Sequence, residues 1–90
     1  MTEPRELVYN KIDIERDYQD SLSTDHQGKP SIEGELLMIQ EYVNRARSAW
    51  TGNFDDNNEE PTRHMIRKIA GIAVRCLENH GCPDRVFHKK

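Results

Sequence analysis

The sequence predicts an all-α fold of three helices, in which the second and third form a long antiparallel helical hairpin. Apolar residues recur at helical spacing in three segments, about 4–22, 32–50 and 61–80. The stretches between these segments, 23–30 and 53–60, are polar and rich in Gly, Pro, Asn and Asp, which interrupt helices. We therefore expect residues 1–90 to form a single helical domain, in which the first helix packs across the other two.

The first helix is expected to begin at Pro4, because the missing N–H of proline costs nothing in a first helical turn. The second helix has a candidate N-cap at Ser31. Its apolar positions are spaced by 4, 3, 4, 3 and 4 residues, which is typical of a seam between antiparallel helices. Those positions are Ile32, Leu36, Ile39, Val43, Ala46 and Trp50.

The third helix should begin at Pro61 and end before Gly81, which is expected to form a left-handed cap just past the helix end. The tail 84–90 is expected to be basic and mobile. The third helix has two apolar rows, Met65, Ile69, Ile72 and Cys76 on one side and Ile66, Ala70, Ala73 and Leu77 on another. One hairpin partner covers only one row, so we expect a homo-oligomer, a dimer or higher, that completes a helical bundle. The expected interface residues are Ile32, Leu36, Ile39, Val43, Trp50, Ile69 and Ile72.

Charge is divided unevenly along the chain. Residues 1–60 hold 6 Lys/Arg and 14 Asp/Glu, whereas residues 61–90 hold 7 and 2, which together give the net charge of −3. The excess positive charge lies on one stripe of the third helix, so this stripe should face something negative. The residues that would then bind a ligand are Arg67, Lys68, Arg75 and His64, with Tyr18 and Tyr42 to stack on a base.

The partners that suit this stripe are the acidic first half of the chain, a second copy of the chain and an anionic ligand. For its arginines, two interpretations stay open. Its arginines can form bidentate contacts with the phosphate of a nucleotide-like ligand. Alternatively, they pair with acidic residues of the first two helices, for which the candidates are Asp13, Glu15, Asp17, Glu33, Glu35 and Glu41. Gly71, in the middle of the same helix, costs about 1 kcal/mol relative to alanine, which suggests that a neighbouring group comes close.

Other classes of function are disfavoured. No apolar run approaches the roughly 20 residues that span a bilayer, and no signal peptide opens the chain, so we expect a cytoplasmic protein. Cys76 and Cys82 are expected to be reduced, and neither forms a recognisable catalytic or metal site. We therefore expect no catalytic residues, no metal and no cofactor. The net negative charge argues against binding to duplex nucleic acid.

The segment 12–20, Ile-Asp-Ile-Glu-Arg-Asp-Tyr-Gln-Asp, is followed by His26 and by Gly34-Glu35-Leu36. This pattern resembles small tailed-phage helical proteins, and the segments 42–50 and 66–81 resemble the helical hairpin of that group. The resemblance implies a protein that acts in a host cytoplasm, with a host protein as its partner.

That group is in turn similar to the all-α NTP pyrophosphatases of MazG type. Those enzymes hold Mg²⁺ with an E-x-x-E pair on one helix and an E-x-x-D pair on the next. Here the second helix has Glu33, Glu35 and Glu41 without an i,i+3 pair, and the third helix has Glu78 as its acid among basic residues. The metal carboxylates of the family are therefore missing from the expected positions.

Three hypotheses follow. The first is a non-enzymatic, phage-type binding protein that modulates a host protein or sequesters a nucleotide-like anionic ligand. The second is a reduced, Mg-dependent pyrophosphatase of MazG type. The third is a helical adaptor with a structural or assembly role.

Overall fold

The computed structural model of the 90-residue chain describes residues 2–22, 30–52 and 58–86. These contain three helices and no strand, and the helices are α1 (Arg5–Leu22), α2 (Ile32–Gly52) and α3 (Glu59–His80). The all-α prediction is confirmed, and every helix end lies within two residues of its expected position. The predicted connections, with His26 and Phe54, and the end of the predicted mobile tail lie mostly outside the described residues.

Local sequence explains the helix ends. The side chain of Ser31 accepts a hydrogen bond from the Gly34 N–H at 3.0 Å, which caps α2 as predicted. α3 begins two residues before Pro61, because proline is tolerated throughout a first turn, where its N–H would have no helical partner. At the other end Gly81 has a φ of 97°, and its N–H donates to the Leu77 carbonyl at 2.9 Å. Its ψ of 148° lies outside the left-handed helical region, so the expected left-handed cap is not formed.

α2 and α3 form the antiparallel hairpin. The His80 ring donates to the Pro30 carbonyl at 2.7 Å at one end, and the Asn58 side-chain amide donates to the Trp50 carbonyl at the other. We expected α1 to pack across both helices of the hairpin. Within the described residues α1 instead packs on α3 and does not approach α2. α3 is therefore the central helix, with α1 and α2 on separate sides of it.

α1 comes close to α3 at Gly71, which is buried. A Cβ atom at this position would lie 2.7 Å from Nε2 of Gln19 and 2.9 Å from Cγ of Glu15. Both distances are shorter than a normal van der Waals contact. The mid-helix glycine is thus explained by the α1 side chains that lie against it.

The three helices enclose almost no apolar core. Among the described residues only Ala46 and Ile72 are buried hydrophobic side chains. The molecule measures 47 × 41 × 23 Å, and its radius of gyration is 15.5 Å, whereas a compact 90-residue domain has about 12 Å. Cys76 is half-buried, Cys82 is exposed and both are free thiols. In the described part of the chain, no helix combines the length and the apolar character required to cross a membrane.

Replacement of Gly71 by alanine is expected to destabilise the protein. The new methyl group must displace Gln19 and Glu15, and this should outweigh the roughly 1 kcal/mol that alanine normally adds to a helix, for a net loss of about 1 kcal/mol. Chemical denaturation of Gly71→Ala and Gly52→Ala provides the measurement and its control. No atom of a neighbouring residue lies within 4 Å of a Cβ built on Gly52, so Gly52→Ala should be neutral or stabilising. Equal stabilisation by both substitutions would show that α1 does not pack at Gly71.

Candidate functional site

The contact between α2 and α3 contains a buried ion pair. The Glu35 side chain is fully buried, and both of its carboxylate oxygens accept hydrogen bonds from Arg75, at 2.7 Å from Nε and 2.6 Å from Nη2. The hydrogen bonds to Glu35 raise the pKa of Arg75, although burial of the guanidinium acts in the opposite direction. This bidentate geometry gives the pair both strength and a fixed orientation.

A second set of ion pairs joins α1 to α3. The buried Glu15 accepts from Nε of Arg67 at 2.9 Å, and the buried Arg16 donates from Nε to Glu78 at 2.7 Å. The hydrogen bond to Glu78 is the largest cause of the raised pKa of Arg16. Gln19 also connects α1 to α3, because its amide donates to the Lys68 carbonyl at 3.4 Å, and the same amide donates to Glu15 within α1 at 3.3 Å.

For the arginines of the basic stripe, these contacts favour the interpretation in which they pair with acidic residues of the same chain. Arg67 and Arg75 both pair with acidic residues of the first two helices, and the partners are Glu15 and Glu35 from the candidate set. A phosphate bound by Arg75 would have to displace a carboxylate that has no access to water. The ion pairs therefore act first to hold the helices together.

Most of the proposed ligand-binding residues line an open cleft between α1 and α2, with α3 as its floor. The cleft has a volume of about 920 Å³ and brings together Tyr18, Lys68, Arg75 and Tyr42. Arg67 lines a neighbouring recess with Tyr18 and Lys68. His64 lines neither recess and contacts the Arg67 guanidinium through a ring nitrogen.

Lys68 is the remaining cation of the cleft. Its ammonium group forms no ion pair with any of the described residues. The ring of Tyr42 has the Arg45 guanidinium 5.0 Å from its centre, so one face of this ring is already partly covered. The cleft thus offers one unpaired lysine and one open tyrosine, Tyr18, to an anionic ligand.

Carboxylates are not arranged for a metal ion in the described residues. No three His, Cys, Asp or Glu side chains of that part of the chain lie where they could share an ion. Glu35 is occupied by Arg75, and Glu41 accepts from Arg45 at 3.3 Å on the surface. Of the second-helix acids compared with that family, Glu35 and Glu41 therefore already have cationic partners.

α2 packs on α3 through a stripe that shares Ile39 and Ala46 with the expected seam but is rotated away from its other positions. Its buried and half-buried positions include Glu35, Ile39, Tyr42 and Ala46. This stripe also has a spacing of 4, 3 and 4 residues, with a carboxylate at one position. The small Ala46 side chain and the Glu35–Arg75 pair rotate α2 so that part of the predicted seam faces outward.

An apolar surface on the hairpin results from this rotation. Of the predicted interface residues, Ile72 is buried within the chain, and Ile39 and Ile69 are half-buried. The exposed apolar residues of α2 and α3 on this side, which we call the hairpin face, are Ile32, Leu36, Val43, Trp50, Ile66 and Leu77. Leu36 is 60% exposed and Ile66 is 55% exposed. Ala70 and Ala73 lie between the two exposed α3 residues.

Both rows of the hairpin face lie on the same side of the hairpin. Met38 of α2 and Lys68 and Arg75 of α3 line the cleft, which lies on one flank of the α2–α3 contact. Each residue turns an α-helix by about 100°, and this places the hairpin-face residues of both helices on the other flank. The hairpin face therefore presents apolar side chains of both helices on the side opposite the cleft.

No family model, curated protein or solved structure matches this chain. The resemblance to small tailed-phage proteins and to MazG-type pyrophosphatases thus stays a prediction.

Removal of the Glu35 carboxylate is expected to be strongly destabilising. Glu35→Ala leaves the Arg75 guanidinium partly buried without its counter-charge, which costs about 3–5 kcal/mol. The matched control, Glu41→Ala, removes an exposed pair and should cost less than about 1 kcal/mol in the same urea titration.

A double substitution shows whether the lost stability comes from the unpaired charge. Glu35→Met with Arg75→Met removes both charges and leaves a packed apolar contact, so it should recover most of the lost stability. A small cost for Glu35→Ala, similar to that of Glu41→Ala, would show that the pair does not hold α2 on α3.

Proposed function

We propose that this protein is a non-enzymatic helical binding protein that acts by contact with another protein through its hairpin face. The observation that supports the proposal is the exposure of six large apolar side chains on one side of two packed helices. Soluble monomers rarely present contiguous apolar patches of this kind, and such patches mark interaction surfaces. Modulation of a host protein, an adaptor role and association with a second copy of the chain are the members of this class.

The scarcity of buried apolar residues supports the same proposal. With only Ala46 and Ile72 buried as hydrophobic residues in the described part of the chain, the hairpin obtains little hydrophobic stabilisation by itself. Each large side chain that a partner covers completely would contribute about 1.5–3 kcal/mol. Binding would therefore stabilise the fold as well as perform the function.

Sequestration of a nucleotide-like ligand has weaker support. The three arginines nearest the cleft, Arg16, Arg67 and Arg75, are engaged by carboxylates, and this leaves Lys68 as the cation available to a phosphate. A single lysine acts on phosphate as a point charge and provides no bidentate recognition. A protein partner would cover several exposed apolar side chains, whereas an anion would contact only one available lysine.

A thermal-shift screen tests this choice. We expect nucleoside mono-, di- and triphosphates, cyclic nucleotides and inorganic phosphate at 1 mM, with or without Mg²⁺, to leave the unfolding temperature of the wild-type protein unchanged. A ligand present at 100 times its Kd would add about 2.7 kcal/mol, which is a visible shift for a domain of this size. A nucleotide-induced shift that Lys68→Ala abolishes would contradict the proposal and favour sequestration.

A further inference from the structure

We propose that the protein covering the hairpin face is a second copy of this chain, related by a two-fold axis that stacks α2 on α2 and α3 on α3, each pair antiparallel. The inference rests on the proposed function and names its partner. The product is a four-helix bundle built from two hairpins, with one α1 attached to each outer side. Four features of the hairpin support it.

The first feature is the surface area. The chain exposes 7876 Å², whereas a compact monomer of its mass, 10.5 kDa, exposes about 5,400 Å². A standard protein interface buries roughly 800 Å² on each partner. Summed over the whole chain, with α1 and the cleft included, the excess is thus larger than the area that one partner loses in a stable dimer.

The second feature is the symmetry of the α3 row. Ile66 and Leu77 lie at its ends and the small Ala70 and Ala73 lie between them. In an antiparallel pair centred between Ala70 and Ala73, Ile66 of each copy meets Leu77 of the other. The alanines allow the two helices to approach closely at the axis, and no charged residue belongs to this row.

The third feature is a pair of charges on the outer edge of α2. Glu33 and Arg47 are both exposed, and neither forms an ion pair with a described residue. They lie on the edge next to Leu36 and Val43, fourteen residues apart, which is about 21 Å along the helix. Halfway between them is Gln40. A two-fold axis at Gln40 would bring Glu33 of each copy to Arg47 of the other.

The fourth feature is the register of the hairpin, which places the centre of the α2 charges, Gln40, level with the centre of the α3 row, between Ala70 and Ala73. The Glu35–Arg75 and Pro30–His80 contacts fix the register of α2 against α3, and this register places Gln40 opposite Ala70. The centre of the α3 row lies within two residues of that point, or about 3 Å along the helix. One axis therefore satisfies the charges of α2 and the apolar row of α3 together.

The alternative two-fold axis, parallel to the helices, would stack α2 on α3 of the other copy. In the register described above, Glu33 would then lie opposite Leu77. Arg47 would lie opposite Arg63, which already pairs with Glu59. Neither charge of α2 would meet an opposite charge there. The charges thus favour the arrangement in which like helices stack.

Charge exchange tests the proposal with little risk to the fold, because both residues are exposed. We expect analytical ultracentrifugation to show a wild-type dimer. Glu33→Arg or Arg47→Glu alone should weaken the dimer roughly tenfold, because each creates two like-charge contacts in place of two exposed ion pairs. The double variant with both changes should return the dissociation constant to within about threefold of the wild-type value.

Leu36→Glu and Ile14→Glu provide the matched apolar test. Both residues are about equally exposed, at 60% and 61%, but Ile14 lies on α1, away from the hairpin face. Leu36→Glu should produce a monomer and Ile14→Glu should not. A dimer that survives Leu36→Glu, or a double charge variant as weak as the singles, would overturn the proposed arrangement.

A wild-type protein that is monomeric at 100 μM would overturn the second copy as the occupant. That result leaves the proposed function standing, since a different protein could still cover the hairpin face. The proposed function fails separately, through a nucleotide-induced thermal shift that depends on Lys68.

Discussion

The buried pair of Glu35 and Arg75 is the interaction on which the remaining structure depends. It places a charged carboxylate at a position of α2 that an apolar residue would normally occupy, and it fixes the rotation of α2 on α3. Since a helix has only one stripe in contact with its neighbour, this rotation turns Leu36 and Val43 outward. A polar contact inside the chain thereby creates an apolar surface outside it.

α1 is attached to α3 by the same kind of contact. Glu15 and Arg16 are buried against α3 through Arg67 and Glu78, and Gly71 makes room for Glu15 and Gln19. Because the guanidinium groups serve these contacts, the basic stripe that stood out in the sequence has little capacity left for an external anion. The side chains that lack a packing partner on α2 and α3 are apolar. For this reason the proposed function and its partner both concern the hairpin face.

The three helices could be predicted from the sequence because periodicity, Pro61, Ser31 and Gly81 are local signals. The choice of contact stripe could not, since two stripes on α2 share the same spacing and the one that packs inside contains Glu35. Hydrophobicity alone favours the fully apolar stripe of α2 as the contact with α3. The stripe that contains Glu35 packs inside because Arg75 of α3 lies opposite it. The ligand-binding set was likewise uncertain, because a sequence does not tell whether an arginine already has a carboxylate beside it.

The central claim is that this fold is completed by association, and the concentration dependence of thermal unfolding tests it most directly. Binding of folded chains to one another raises the unfolding temperature as protein concentration increases. For a dimer of this chain, we expect a rise of roughly 5–8 °C between 3 and 300 μM. An unfolding temperature that is the same across this range would show that the isolated chain is stable with its hairpin face exposed, which would contradict the account.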